Sequence, residues 1–105
     1  MRYAYDDLGQ RQAGDVVVVR LHGSAPNVIL LDQHNYARYR SGRAFRYIGG
    51  HYRRSPVELE IPEDGHWFVV VDLGGFGGRV RGSVEVRDGD GSSRHTHQEG
   101  VLVRA

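Results

Sequence analysis

The residues with the most chemistry in this chain are crowded into one stretch. Between Gln33 and Val57 stand six arginines (Arg38, Arg40, Arg43, Arg46, Arg53 and Arg54) and no acid. Interleaved with them are Tyr36, Tyr39, Phe45, Tyr47 and Tyr52, with His34 and His51. Forked guanidinium donors among aromatic rings suit anionic, planar or phosphorylated ligands, through paired hydrogen bonds and stacking. The competing account is a solvated face: the arginines pair with Glu58, Glu60 and other acids while the tyrosines pack beneath. The whole chain carries a net charge of only +1, so an acidic remainder offsets this basic stretch. With so little basic excess, nucleic acid is not expected as a partner.

Other constellations are weaker. His95-Thr96-His97 with Glu99 resembles a metal-binding strand edge, where alternate residues share one side. The glutamate stands two residues past His97 and the remaining tail holds no further histidine, so loop histidines facing water are the better account. A metalloenzyme built on these histidines is the less favoured alternative, and no metal or cofactor is expected. Asp72-Leu73-Gly74-Gly75-Phe76-Gly77-Gly78-Arg79 could cradle a phosphate, but it fits no nucleotide-binding pattern, and a sharp bend between strands is expected instead. His66 and Asp72 share parity but stand about 20 Å apart at strand rise, too far for a pair. Ser92-Ser93 has no strand leading into it and is no nucleophile elbow. Trp67 reads as the central core aromatic.

Absent residue types narrow the chemistry further. The 105 residues include no cysteine, which removes disulfides, thiolate-bound zinc and thiol nucleophiles together. All 14 basic residues are arginine, which removes a P-loop lysine, a Schiff-base lysine and a Ser-x-x-Lys pair. No catalysis is expected. Met1 to Gln10 holds Arg2, Asp6 and Asp7 and no signal-like apolar stretch. The longest apolar run, Trp67 to Val71, is far short of the roughly 18–20 residues a membrane span needs. A cytoplasmic protein without a membrane partner is expected.

The elements that must position these residues follow from patterning. Val57, Leu59 and Ile61 alternate with Glu58 and Glu60, and Val80, Val84 and Val86 alternate with polar neighbours, as half-buried strands do. Val16 to Val19 and Trp67 to Val71 are apolar on both faces and read as central strands. Asn27 to Asp32 adds a strand, Val101 to Val103 a short terminal one, and Arg2 to Tyr5 an optional first. Pro62-Glu63-Asp64-Gly65 predicts a hairpin-type turn. One helical turn is expected over Asp32 to Arg40, capped by Asp32 and stopped by Gly42.

Three runs in order, GDVVVVRL, NVILLDQHNYARY and YIGGHYRRSPVELEIPEDGHWFVVVDLGG, give the chain a family likeness. It resembles the small bacterial family known as domain of unknown function 1883, over about Gly14 to Val86. The resemblance implies an all-β sandwich, found alone or attached to signalling domains such as the TIR domain, with no established activity. Members of that family often read Gly-His-Trp-His where this chain has Gly65-His66-Trp67-Phe68, so a role needing two histidines there is not carried over. A looser likeness to jelly-roll-like carbohydrate- or cargo-binding sandwiches fixes no function.

The expected fold is therefore all-β: one domain over residues 1–105, an antiparallel, jelly-roll-like β-sandwich of seven or eight strands. Its core should include Val16, Val18, Val28, Leu30, Leu59, Ile61, Trp67, Val69, Val71, Val84 and Val86. The expected function is a non-enzymatic binding, adaptor or sensory module. Its contact residues are Asn35, Tyr36, Tyr39, Arg46, Tyr47, His51, Tyr52, Arg53 and Arg54, and its partner is a protein or an anionic small molecule. Gly49-Gly50 should let that partner approach the backbone. Open sheet edges, with Val101 to Val103 and with Tyr3 and Tyr5 available for pairing, make a homo-oligomer expected. The alternative function is a structural or oligomerising sandwich without a small ligand.

Overall fold

The two doubly apolar runs, VVVV and WFVVV, each occupy an inner position of a different sheet. A computed structural model describes residues 3–74 and 78–89, and the backbone of 93–104. Its elements are β1 (Tyr3–Arg11), β2 (Val16–Gly23), β3 (Asn27–Asp32), α1 (Gln33–Arg40), β4 (Ile48–His51), β5 (Val57–Glu60), β6 (Gly65–Asp72), β7 (Arg79–Arg87) and β8 (Ser93–Arg104). They form two four-stranded antiparallel sheets, in the orders β1-β6-β3-β4 and β5-β2-β7-β8. Of the consecutive strands only β3 with β4 and β7 with β8 are neighbours; every other connection crosses between sheets, the jelly-roll-like habit. The expected sandwich is the observed fold.

The main core lies between the sheets. Leu8, Val17, Val19, Val28, Leu30, Ile61, Trp67, Val69, Val71 and Val84 belong to it. Each large aliphatic or aromatic side chain so buried contributes about 1.5–3 kcal/mol. Trp67 is 4% exposed and donates its indole N–H to the Glu63 carbonyl at 3.0 Å, so its one polar atom is satisfied. The phase expected for β2 is corrected: Val17 and Val19 face the core, whereas Val16 is half-buried and Val18 is buried on the outer face, in register with Glu58 and Glu85.

Three further expectations change. Pro62 to Gly65 is no hairpin turn, because β5 and β6 belong to different sheets and the segment arches between them. The first strand runs to Arg11, with a bulge that leaves Leu8 without a cross-strand partner. That extra residue turns into the core at 1% exposure, while Gly9 takes a φ of +73° and its N–H bonds to Asp7 Oδ1 at 2.9 Å. The terminal strand extends well beyond Val101 to Val103. It includes the backbone of His95, Thr96 and His97, paired with Val86, Glu85 and Val84, so these residues stand in a strand and not in a loop. Their side chains, that of Glu99, and most of the glycine stretch after Gly74 lie outside the described residues.

A second apolar layer coats the outer face of the first sheet and positions the site. Ile29, Leu31, Phe68 and Val70 supply its floor, and Tyr36 on α1 covers them, with Tyr3, Tyr39 and Phe45 packed alongside. Tyr36 stacks on Phe68 with ring centroids 4.1 Å apart and an interplanar angle of 13°. An eight-residue helix this polar has little stability alone, and packing of its two tyrosines onto the sheet holds it. Asp32 caps it as expected, accepting from the Asn35 N–H at 2.8 Å. Among the described residues no helix is long and apolar enough to cross a membrane.

Candidate functional site

The site forms where α1, the chain after it and the edge strand β4 meet the outer face of the first sheet. Gly42 takes a φ of +73° just past the helix, and the Arg43 N–H returns to the Arg38 carbonyl at 2.9 Å. The chain then folds back along α1. Asn35 Oδ1 accepts from the Arg46 N–H at 2.8 Å, which pins this return segment to the helix. Phe45 stands edge-on to Tyr39 at 5.1 Å, and Tyr47 tilts against Phe45 at 5.6 Å. Together the three rings wall a groove of about 490 Å³.

The groove floor comes from the strands. Ile29 supplies its apolar part, and Asn27 and Asp72 its polar part. Asn27 and Asp72 are cross-strand partners of β3 and β6. Asp72 is 4% exposed, yet its carboxylate is well supplied. Oδ1 accepts from the Asn27 side-chain amide and from the Gly74 N–H, each at 2.9 Å, and Oδ2 accepts from the Tyr39 hydroxyl at 2.9 Å. Burial first, and then the bond to Asp72, hold the Tyr39 phenol well above its ordinary range. Burial, and then Tyr3, do the same for Tyr36.

The arginines around this groove form no ion pair among the described residues. Among the described residues the ion pairs are Arg20 and Arg87 with Glu85, and His66 with Asp7. None involves an arginine from the 38–54 stretch, so pairing with Glu58 and Glu60 does not account for them. Arg38 donates through Nε to the Ala44 carbonyl, and Arg40 lies over the Tyr36 ring at 5.8 Å. Arg43 lines the aromatic groove; Arg46 lines a neighbouring hollow of about 440 Å³ on the other side of Phe45.

The nine expected contact residues divide into three groups. Tyr39 and Tyr47 line the groove, while Asn35 and Arg46 line the neighbouring hollow. Tyr36 and Tyr52 are packing residues: Tyr36 is 7% exposed under α1, and Tyr52 is half-buried against the main core. Arg53 and Arg54 are exposed beside a separate small cleft near Gly23 and Pro26, and His51 is exposed at the end of β4. Gly49 serves pairing: at φ +116°, a Cβ there would overlap the Val28 carbonyl oxygen. Gly50 alone of the two borders the groove.

Sequence reading missed Asn27 and Asp72 as site residues. The available signal was parity, since each is a polar residue at the end of an apolar strand, and antiparallel pairing brings those ends together. Among the described residues no three histidine, aspartate or glutamate side chains converge as metal ligands would.

No curated protein and no solved structure matches the chain. The family model described as domain of unknown function DUF1883 matches residues 1–89 of the 105, in agreement with the likeness carried by the three quoted runs, and the chain belongs to that family.

Proposed function

We propose that this domain is a non-enzymatic binding module that captures an anionic ligand on the surface formed by α1, residues 41–47 and β4. The observation that carries the reading is the pairing of an aromatic-walled groove with arginines that have no ionic partner among the described residues. A guanidinium left without a carboxylate keeps its forked donors for an incoming anion, and exposed aromatic area beside it adds contact at small entropic cost.

Capture from lysate tests this reading. Arg43→Ala combined with Arg46→Ala should leave the melting temperature unchanged, because both side chains are exposed and neither is in an ion pair among the described residues. Immobilised wild-type domain should enrich an anionic molecule or acidic protein that the double variant does not retain. Equal retention by the two, or unfolding of the variant, would sink the proposal.

A further inference from the structure

The groove has a polar floor and a charged rim, and these differ in what they can bind. This inference rests on the binding-module reading and narrows its ligand. We propose that the groove takes a small ring-bearing anion that also carries an amino or hydroxyl donor away from its charge, the donor entering first and the anionic group remaining outside.

The floor sets the donor requirement. A carboxylate offers about four lone-pair positions, and Asp72 uses three, which leaves one on Oδ2. Tyr39 spends its proton on Asp72, so its oxygen can only accept. Asn27 spends one amide N–H on Asp72, and the end of its side chain not engaged there is the carbonyl oxygen, an acceptor. The floor thus presents chiefly acceptors around a negative charge. A donor satisfies them, whereas an apolar or acceptor-only end strips them of water and returns nothing. An anionic group placed there would face the Asp72 carboxylate directly.

The walls and rim set the rest. Tyr39, Phe45 and Tyr47 form a continuous series of rings, and Tyr47 is 53% exposed. Tyr5, the other large exposed hydrophobic among the described residues, leans on Tyr3, Tyr36 and Phe68, whereas among the described residues Tyr47 has Phe45 alone as a ring neighbour and stays exposed. Arg43 is exposed at the rim while Asp72 is 4% exposed in the floor, so opposite charges stand at different depths. A volume of about 490 Å³ is within the range that houses small ligands.

Three probes separate the parts: 4-aminobenzoate, benzoate and acetate, titrated against isotope-labelled protein while the amides of Gly42, Phe45, Tyr47, Gly50 and Gly74 are followed by NMR. The expected result is that 4-aminobenzoate binds about tenfold or more tightly than benzoate, the scale of one well-made hydrogen bond to a charged group. Acetate, lacking the ring, should bind weakest. Arg43→Gln should weaken both aromatic anions by the same factor and preserve the preference between them. Equal binding of 4-aminobenzoate and benzoate in the groove would overturn the inference while leaving the anion-binding surface standing. No groove shift with any of the three would overturn it outright, and the lysate capture then decides the wider reading independently.

Discussion

The Tyr39 hydroxyl donates to Asp72 Oδ2 at 2.9 Å, tying a helix that follows β3 to the last residue of β6. This bond links two layers of the molecule. From α1, Tyr39 reaches across the second apolar layer; from β6, Asp72 is also bonded to Asn27 of β3. A buried carboxylate survives only with such a set of donors, because isolated burial of the charge would cost far more than folding could supply. The polar floor of the groove is therefore structural as well as chemical.

Replacing that one hydroxyl should be costly for its size. Tyr39→Phe keeps the ring that packs on Tyr3 and Phe45 and removes only the donor to Asp72. The expected destabilisation is about 1–3 kcal/mol, the scale of a buried charged acceptor losing one partner. Urea denaturation checks it, and an unchanged midpoint would show that water replaces the phenol.

The same bond predicts a particular alkaline response. Burial holds the pKa values of Tyr39 and Tyr36 above the ordinary phenol value in the folded chain. Below the ordinary phenol value of about 10, both states keep these protons and stability is unaffected. Above it the unfolded chain releases them first and folded stability falls with each further rise in pH. The chain has no lysine and no cysteine, so side-chain titration above about pH 9.5 is almost entirely tyrosine. Urea midpoints measured at pH 8, 10 and 11, each figure being about the tyrosine range, should decline only at the alkaline end. The decline should be shallower in Tyr39→Phe than in the wild type.

How legible all this was depends on whether the signal is local. Asp32 and Gly42 bracket α1 through capping chemistry within a few residues, and the helix was readable. Four successive valines carry no phase, so Val16 to Val19 named a strand without saying which pair faces inward; the pairing of β2 with β5 and β7 decides that. Pro62 to Gly65 has good turn chemistry, but turn residues do not specify whether the chain doubles back or crosses to another sheet. The sequence IGGH has neither alternation nor β-branched density, and β4 exists because β3 offers it an edge. At the site, the arginines and rings of one segment were visible as composition. Its floor was not, since Asn27 and Asp72 stand 45 residues apart and meet only through β3–β6 pairing.

The two glycines of β4 should respond very unequally to a side chain. A Cβ at Gly49 meets the Val28 carbonyl oxygen and its φ of +116° disfavours any side chain, so Gly49→Ala should cost about 1–3 kcal/mol and loosen the β3–β4 pairing. A Cβ at Gly50 meets nothing within 4 Å, and Gly50→Ala should change stability by less than about 0.5 kcal/mol. Thermal melts of the two variants check the contrast. Equal losses would mean that β4 does not pair as described.

The separation of the arginines into distinct clefts gives the sharpest functional contrast. Arg43 and Arg46 flank Phe45, whereas Arg53 and Arg54 border a different cleft beside Ser24 and Pro26. All four are exposed, and none is in an ion pair among the described residues, so each double alanine variant should melt within a few degrees of wild type. If charge density over the whole segment governed capture, both double variants would lose it about equally, since each removes the same charge. If the groove governs it, Arg43→Ala with Arg46→Ala should abolish capture, while Arg53→Ala with Arg54→Ala should retain most of it and lose chiefly long-range attraction, which salt screens over about 8–10 Å. Capture repeated at low and high salt separates these contributions. The Arg53 and Arg54 variant should approach wild type as salt rises, and persistence of its deficit would move the contact surface away from the aromatic groove and toward the end of β4.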